Sequence, residues 1–226
     1  MKSLILLHGA LGSETLFDPL AQQLENEYKI YSFNLSGHGK APFNEKGFGI
    51  EVFAQELSAF RASKQLVKPT IFGYSMGGYI ALYLEALQPG SFEKILTLGT
   101  KFGWNPEAAG KEASRLNPEI IAQKVPAFAD MLAVRHGDQW STLLEATAGM
   151  MKALGHKPLL SQSVLSAVQI PVTIMRGDQD QMVSREESEA AVTDLPNATY
   201  VELPDTLHPI EKTAPALLAA KIKACS

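Results

Sequence analysis

Residues 70–87, TIFGYSMGGYIALYLEAL, constrain the fold of this chain more than any other stretch. An apolar run, Ile71 and Phe72, stops at Gly73; Ser75 stands between Gly73 and Gly77; and a helix-forming segment follows with no spacer. The pattern reads as strand, very tight turn, helix, with the serine at the apex. Glycines on either side remove the Cβ atoms that would clash on so sharp a turn, and a serine held there presents its hydroxyl outward from a sheet edge. The Gly-x-Ser-x-Gly pentapeptide alone is a weak signal in a chain with 17 glycines. Its context is rarer: a continuous apolar strand before it and the small residues Gly77, Gly78 and Ala81 after it suit a buried parallel strand packed closely under a helix.

Strand and helix signals alternate on both sides of this stretch. Leu4 to Leu7 reads as a first buried strand followed by the loop HGALGS, and Leu16, Leu20 and Leu24 recur at helical spacing over Leu16 to Glu25. A second strand spans Lys29 to Phe33 and runs into the turn-rich loop NLSGHGKAP; a helix from Ile50 to Leu66 carries Val52, Phe53, Leu57 and Phe60 on one face. After the elbow come strands at Lys94 to Leu98, Val172 to Met175 and Thr199 to Leu203, with helices at Arg185 to Thr193 and Thr213 to Ala224. Such alternation implies an α/β fold: a doubly wound sheet of about six parallel strands, covered on both faces.

About 70 residues separate the fourth and fifth strands, too many for a structureless loop. Asn117-Pro118 opens a helix, Pro126 restarts it and Gly137 ends it; a further helix from Gln139 to Leu154 is expected to be capped by Asp138 and stopped by Gly155. Residues 104–164 therefore read as a helical lid over the C-terminal edge of the sheet, where open α/β sheets bind ligands. The 226 residues, 46% hydrophobic, suffice for one domain with a sizeable core, so the expected organisation is a single domain, 1–226, with the lid at 104–164 inserted in it.

The net charge of -4 is scattered, which argues against nucleic acid and against an anionic membrane as partners. The single cysteine, Cys225, can form no intrachain disulfide; the apolar run Leu4–Leu7 is too short for an export signal; and no stretch reaches the roughly 18 apolar residues of a membrane span. A cytoplasmic location is expected. No histidine pair has metal-ligand spacing with a nearby acid, so neither a metal nor another cofactor is expected. Nothing in the pattern sets an oligomeric state.

A serine hydroxyl becomes a nucleophile when a base takes its proton, and the base works best when a carboxylate fixes its tautomer. Each partner of Ser75 should lie at the C-terminal end of a strand, so that the side chains meet on one edge. Asp178 and Asp180 follow the fifth strand, and His208 follows the sixth. A developing oxyanion needs two main-chain N–H groups, and one is that of Met76 at the positive N-terminus of the helix.

The chain resembles the α/β-hydrolase fold superfamily, the esterase, lipase and C-C hydrolase group, over nearly its whole length. The residues that carry the likeness are His8-Gly9, Ser36-Gly37-His38-Gly39, GYSMGG at the elbow, the GDQD loop ending at Asp180, and His208. The resemblance implies a Ser75, Asp180, His208 triad, with Asp180 at the fourth position of its loop and Asp178 holding the turn. It also implies Ala10 as the second oxyanion donor, with Leu11 as the alternative. The chain departs from the family in several places. Relatives usually begin with two more strands, so a trimmed sheet of six strands is expected here; Asn34 replaces a frequent aspartate before the G-H-G loop, and Leu207 stands where a glycine usually precedes the histidine. HGALGS is also similar to a loop of small lyases of menaquinone synthesis, but those carry an arginine shortly after the elbow where this chain has Tyr79, which weakens that assignment.

The implied activity is that of a serine hydrolase cleaving a small, largely apolar ester or related acyl compound through an acyl-enzyme. The same groups could serve C-C, lactone or thioester hydrolysis, and some proteins of this fold are non-turnover receptors of small molecules. Phe17, Phe102, Trp104, Met131 and Met151 are candidates for lining an apolar substrate pocket. His8 and His38, in turn sequences, are expected to make structural hydrogen bonds, and His136 and His156 to be solvated.

Overall fold

Residues 4–7 alternate their side chains between two cores, and this alternation organises the molecule. In the computed structural model, which describes residues 1–225, β1 (Lys2–Leu7) sends Leu4 and Leu6 into one apolar cluster and Ile5 and Leu7 into another, all buried. Complete burial on both faces is what a central parallel strand requires. The chain continues through α1 (Asp18–Leu24), β2 (Tyr28–Ser32), α2 (Ile50–Ser63), β3 (Thr70–Tyr74), α3 (Met76–Leu87) and β4 (Lys94–Leu98). After five helical segments it returns to the sheet with β5 (Val172–Gly177), α9 (Arg185–Asp194), β6 (Ala198–Leu203) and α10 (Pro215–Cys225). The six strands are parallel, in the order β2-β1-β3-β4-β5-β6.

One face of the sheet is covered by α2, α3 and α9 through Phe53, Leu57, Ile80, Leu84 and Ala191, packed on Ile71, Ile95 and Ile174. The other is covered by α1 and α10, where Leu20, Leu24, Leu218 and Ile222 pack on Phe72, Leu96 and Met175. The observed sheet is the one expected from the sequence, with strand ends within about two residues.

Between β4 and β5 lie α4 (Pro106–Ser114), α5 (Pro118–Lys124), α6 (Pro126–His136), α7 (Trp140–His156) and α8 (Gln162–Leu165). Asn105 and Asn117 each cap a helix by accepting a main-chain N–H three residues on, at 2.9 Å, with proline at the next position in both cases. Two expectations about α7 need correction. Asp138 does not cap it, because residues 137–139 form a 3₁₀ turn and the side chain of the capping residue, Gln139, bonds instead to the Gly37 and Ala41 carbonyls. Gly155 does not stop it either. It lies inside the helix, where a Cβ would come within 2.4 Å of the Ala109 Cβ, so its glycine permits α4 and α7 to pack closely. Among the described residues no helix is long and apolar enough to cross a membrane.

Candidate active site

The turn after β3 fixes Ser75 in a strained conformation, φ 52° and ψ −115°, of the kind that costs on the order of 1–3 kcal/mol and persists when its surroundings over-determine it. Three contacts do so: the Ser75 N–H donates to Leu98 O at 2.8 Å, Thr100 Oγ1 donates to Ser75 O at 2.9 Å, and Gly73 lets α3 approach until a Cβ there would be 2.4 Å from Gly78 N.

The loops after β5 and β6 deliver two further groups to the same edge. His208 Nε2 lies 3.3 Å from Ser75 Oγ, and His208 Nδ1 lies 2.7 Å from Asp180 Oδ2. Asp180 is buried, and its Oδ1 accepts the N–H groups of Met182 at 2.8 Å and Val183 at 2.9 Å. Burial pushes its pKa up, but the hydrogen bond and charge of His208 and the two main-chain donors outweigh that, leaving it below the ordinary aspartate value. The geometry thus favours an ionised carboxylate, a proton on Nδ1 and a free lone pair on Nε2 facing the hydroxyl. Asp178 is exposed and accepts the Thr206 N–H at 3.1 Å, a turn contact that leaves it outside this chain of bonds.

Ala10 and Met76 border the same cavity as Ser75 and His208, Met76 as the first residue of α3. Ala10 sits in a turn closed by Gly12 N–H donating to Gly9 O at 3.1 Å, with Leu11 at φ 59°, a conformation that costs a leucine about 1–2 kcal/mol.

The cavity volume is about 200 Å³. Apolar side chains from the sheet edge, from α3 and α7 and from the segments flanking α4 form most of its wall, among them Tyr79, Trp104, Leu116, Met150, Met151 and Met182. Of the five residues expected in a pocket, Trp104 and Met151 line it and three do not. Phe17 is buried on the α1 side of the sheet with its ring 6.1 Å from that of Phe72, Phe102 packs on the core below, and Met131 packs among the inserted helices. Their residue type was suitable, but nothing in local sequence said which way each side chain would point. Three charged residues also stand in the wall, and nothing in local sequence marks them for it. Lys101 is paired with Glu187 at 3.3 Å and donates to Met182 O at 3.0 Å, and Glu112 is paired with Arg115 at 2.9 Å.

His8 and His38 are buried. His8 Nδ1 donates to Gly9 O at 2.8 Å and Nε2 accepts the Leu35 N–H at 3.2 Å, while His38 Nδ1 bonds to Ser36 O at 3.1 Å. His156 is exposed, but His136, expected in solvent, is 1% exposed and bonded at both ring nitrogens. Burial in the seam between α6 and the two loops it covers accounts for the difference.

Tyr74 and Arg176 also bear on the site, beyond the residues expected from sequence. The Tyr74 hydroxyl donates to His208 O at 3.0 Å, and Arg176 ties the acid loop by donating to Asp180 O at 3.0 Å and Val183 O at 2.7 Å. Strand alternation carries a signal for Tyr74, two residues from Phe72 on one face; a buried arginine ending a strand has no such signature. Among the described residues no group of three or more His, Cys, Asp or Glu is arranged to hold a metal ion.

Residues 2–141 match a sequence family described as alpha/beta hydrolase fold. Over 139 residues the chain is 37% identical to pimeloyl-[acyl-carrier protein] methyl ester esterase of Neisseria meningitidis serogroup C, a match covering 61% of this chain and 48% of that protein. The chain therefore spans about half the length of that relative. It is 28% identical over 204 residues to 2-succinyl-6-hydroxy-2,4-cyclohexadiene-1-carboxylate synthase of Yersinia enterocolitica, covering 78% of this chain and 71% of the synthase. Among solved structures, NosK from Streptomyces actuosus superposes with a TM-score of 0.82 at 19% identity, over 99% of this chain and 96% of NosK.

Proposed function

The chain belongs to the alpha/beta hydrolase fold family, and from that premise we propose that it is a serine hydrolase acting on a small, largely apolar ester. The observation that carries this reading is the unbroken path from Ser75 Oγ through His208, at 3.3 Å, to Asp180, at 2.7 Å, opening on an apolar cavity. The likeness to a methyl ester esterase supports ester chemistry.

In this reading His208 Nε2 takes the Ser75 proton as Oγ attacks the ester carbonyl carbon. The carbonyl electron pair moves to oxygen, and the N–H groups of Met76 and Ala10 hold that oxyanion; one such donor is typically worth about two to three orders of magnitude in rate. Collapse of the tetrahedral intermediate expels the alkoxide, which leaves with the proton from His208, and an acyl-Ser75 remains. His208 then deprotonates water as its oxygen attacks the acyl carbonyl, and the second tetrahedral intermediate collapses by breaking the bond to Ser75 Oγ, which takes the proton back from His208 as the acid leaves. Asp180 holds the imidazole tautomer and balances its positive charge in both halves. The 3.3 Å approach is longer than a strong O–H···N bond and is expected to shorten once substrate fills the cavity. Helices α4–α8 act as the lid, their Met150 and Met151 giving the acyl side a flexible wall.

A fluorophosphonate probe tests this directly. Labelling mapped to Ser75, together with a fall of several orders of magnitude in p-nitrophenyl butyrate turnover for Ser75→Ala, is the expected result. Labelling elsewhere, or an unchanged rate, would remove Ser75 from the chemistry.

A further inference from the structure

The proposed donor Ala10 belongs to a turn that does not hold itself. Leu11, at φ 59°, occupies the left-handed region without being a glycine or asparagine, so contacts from outside must stabilise the turn. They come from the last turn of α6, 124 residues away. The Leu11 carbonyl accepts Arg135 Nη1 at 2.9 Å and His136 Nε2 at 3.0 Å. The other ring nitrogen of His136, Nδ1, accepts the Gly39 N–H at 3.0 Å, so one buried imidazole joins the 9–12 turn to the 36–41 loop. Acceptance at Nδ1 places the ring proton on Nε2, and the ring cannot flip without losing a bond. Burial lowers its pKa to about 4, so the neutral form needed for both bonds persists at neutral pH. Behind it the His38 ring packs at 6.0 Å and His8 at 4.9 Å from His38, and His8 in turn donates to Gly9 O. The turn is thus gripped at both ends by neutral histidines. It also abuts the nucleophile, since a Cβ on Gly9 would come within 2.9 Å of the Ser75 Cβ.

We propose that His136, with Arg135 beside it, is a positioning residue for the oxyanion hole: bonded to Leu11 and Gly39, it keeps the Ala10 N–H where the oxyanion forms. This rests on the reading of Ser75 and Ala10 given above. A slight displacement of that donor weakens contact with the transition state more than contact with the ground-state ester, so the loss should fall on kcat.

The test compares His136→Phe, which keeps a ring but neither bond, with His136→Gln, which keeps an amide donor and acceptor. Expected for His136→Phe is a fall in kcat of about ten- to a hundredfold for p-nitrophenyl butyrate, with KM within about threefold and an alkylboronic acid inhibitor weakened in parallel. His136→Gln should recover most of the lost kcat. A folded His136→Phe with wild-type kcat, or equal losses in the two variants, would overturn the inference. If His136→Phe does not fold, Arg135→Met decides, because it removes one donor to Leu11 and leaves the buried ring intact. A lower kcat at unchanged KM supports the proposal, and wild-type kcat overturns it. Failure of the underlying reading looks different: the wild-type chain itself would neither label at Ser75 nor hydrolyse esters.

Discussion

The Tyr74 hydroxyl donates a 3.0 Å hydrogen bond to the main-chain carbonyl of His208, tying the residue before Ser75 to the loop that carries its partner. Burial first, and the nearby Glu211 carboxylate second, raise the Tyr74 pKa, so the phenol stays a donor throughout the working pH range. The bond fixes the loop rather than the chemistry, and one such bond is worth about 0.5–1.5 kcal/mol net. Tyr74→Phe should therefore lower kcat/KM for p-nitrophenyl butyrate by about two- to tenfold, with Tm lowered by no more than a few degrees. Steady-state kinetics and a melting curve check this, and a loss above a hundredfold would give Tyr74 a larger part.

The two aspartates after β5 separate by what they touch. Asp180 reaches His208 Nδ1 at 2.7 Å, whereas Asp178 accepts the Thr206 N–H at 3.1 Å. Asp180→Asn keeps the shape but presents an amide to Nδ1, which favours the wrong tautomer, and should cost about four orders of magnitude in kcat. Asp178→Asn can still accept from Thr206, so its loss should stay below about tenfold. The reverse order, read in the same ester assay, would exchange their roles.

The sheet was legible because burial on both faces leaves a signature in sequence: Leu4 to Leu7 and Lys94 to Leu98 are short apolar runs bounded by loops, and both are strands. Ser75 was legible because its turn tolerates so few residue types. The inserted helices were legible where apolar periodicity backed the capping signal. Asn117-Pro118 marks a helix start in the sequence, whereas the equivalent Asn105-Pro106 does not stand out, since α4 buries only Ala109, Glu112 and Ala113 and offers no apolar stripe. The cavity wall and the clamp on Leu11 were not legible. Both depend on how α4, α6 and α7 settle against the sheet edge, and that joins residues more than 90 positions apart, such as Gly39 and His136.

Phe17 and Met151 should separate stability from specificity. Phe17 is 2% exposed in the core beneath α1, so Phe17→Ala should destabilise by about 3–5 kcal/mol while leaving the preference among acyl chains unchanged. Met151 lines the cavity, and Met151→Ala should raise kcat/KM for p-nitrophenyl hexanoate relative to acetate. Urea unfolding and a chain-length series measure the two effects. A shifted chain-length profile in Phe17→Ala would return that residue to the substrate path.

Stability should depend on pH through the buried histidines. Burial is the largest cause in each: His8 and His136 are lowered from 6.5 to about 4, and His38 is also lowered well below 6.5, with the neighbouring histidines and Arg135 adding to the effect. Above pH 6.5 the folded and unfolded chains both hold these rings neutral, so stability is at its full value. As pH falls from 6.5 toward 4 the unfolded chain binds protons that the folded one refuses, and stability is lost at up to about 1.4 kcal/mol per pH unit for a ring as buried as His8. Asp180, held below the ordinary aspartate value, adds its own acid lability only at lower pH, so the interval from 6.5 to 5 isolates the histidines. Urea midpoints measured at steps across that interval should fall with pH in the wild type and fall less steeply in His136→Gln, which has one fewer ring to protonate. Equal slopes would mean that His136 is charged in the folded protein, and a ring charged at Nδ1 could not accept the Gly39 N–H.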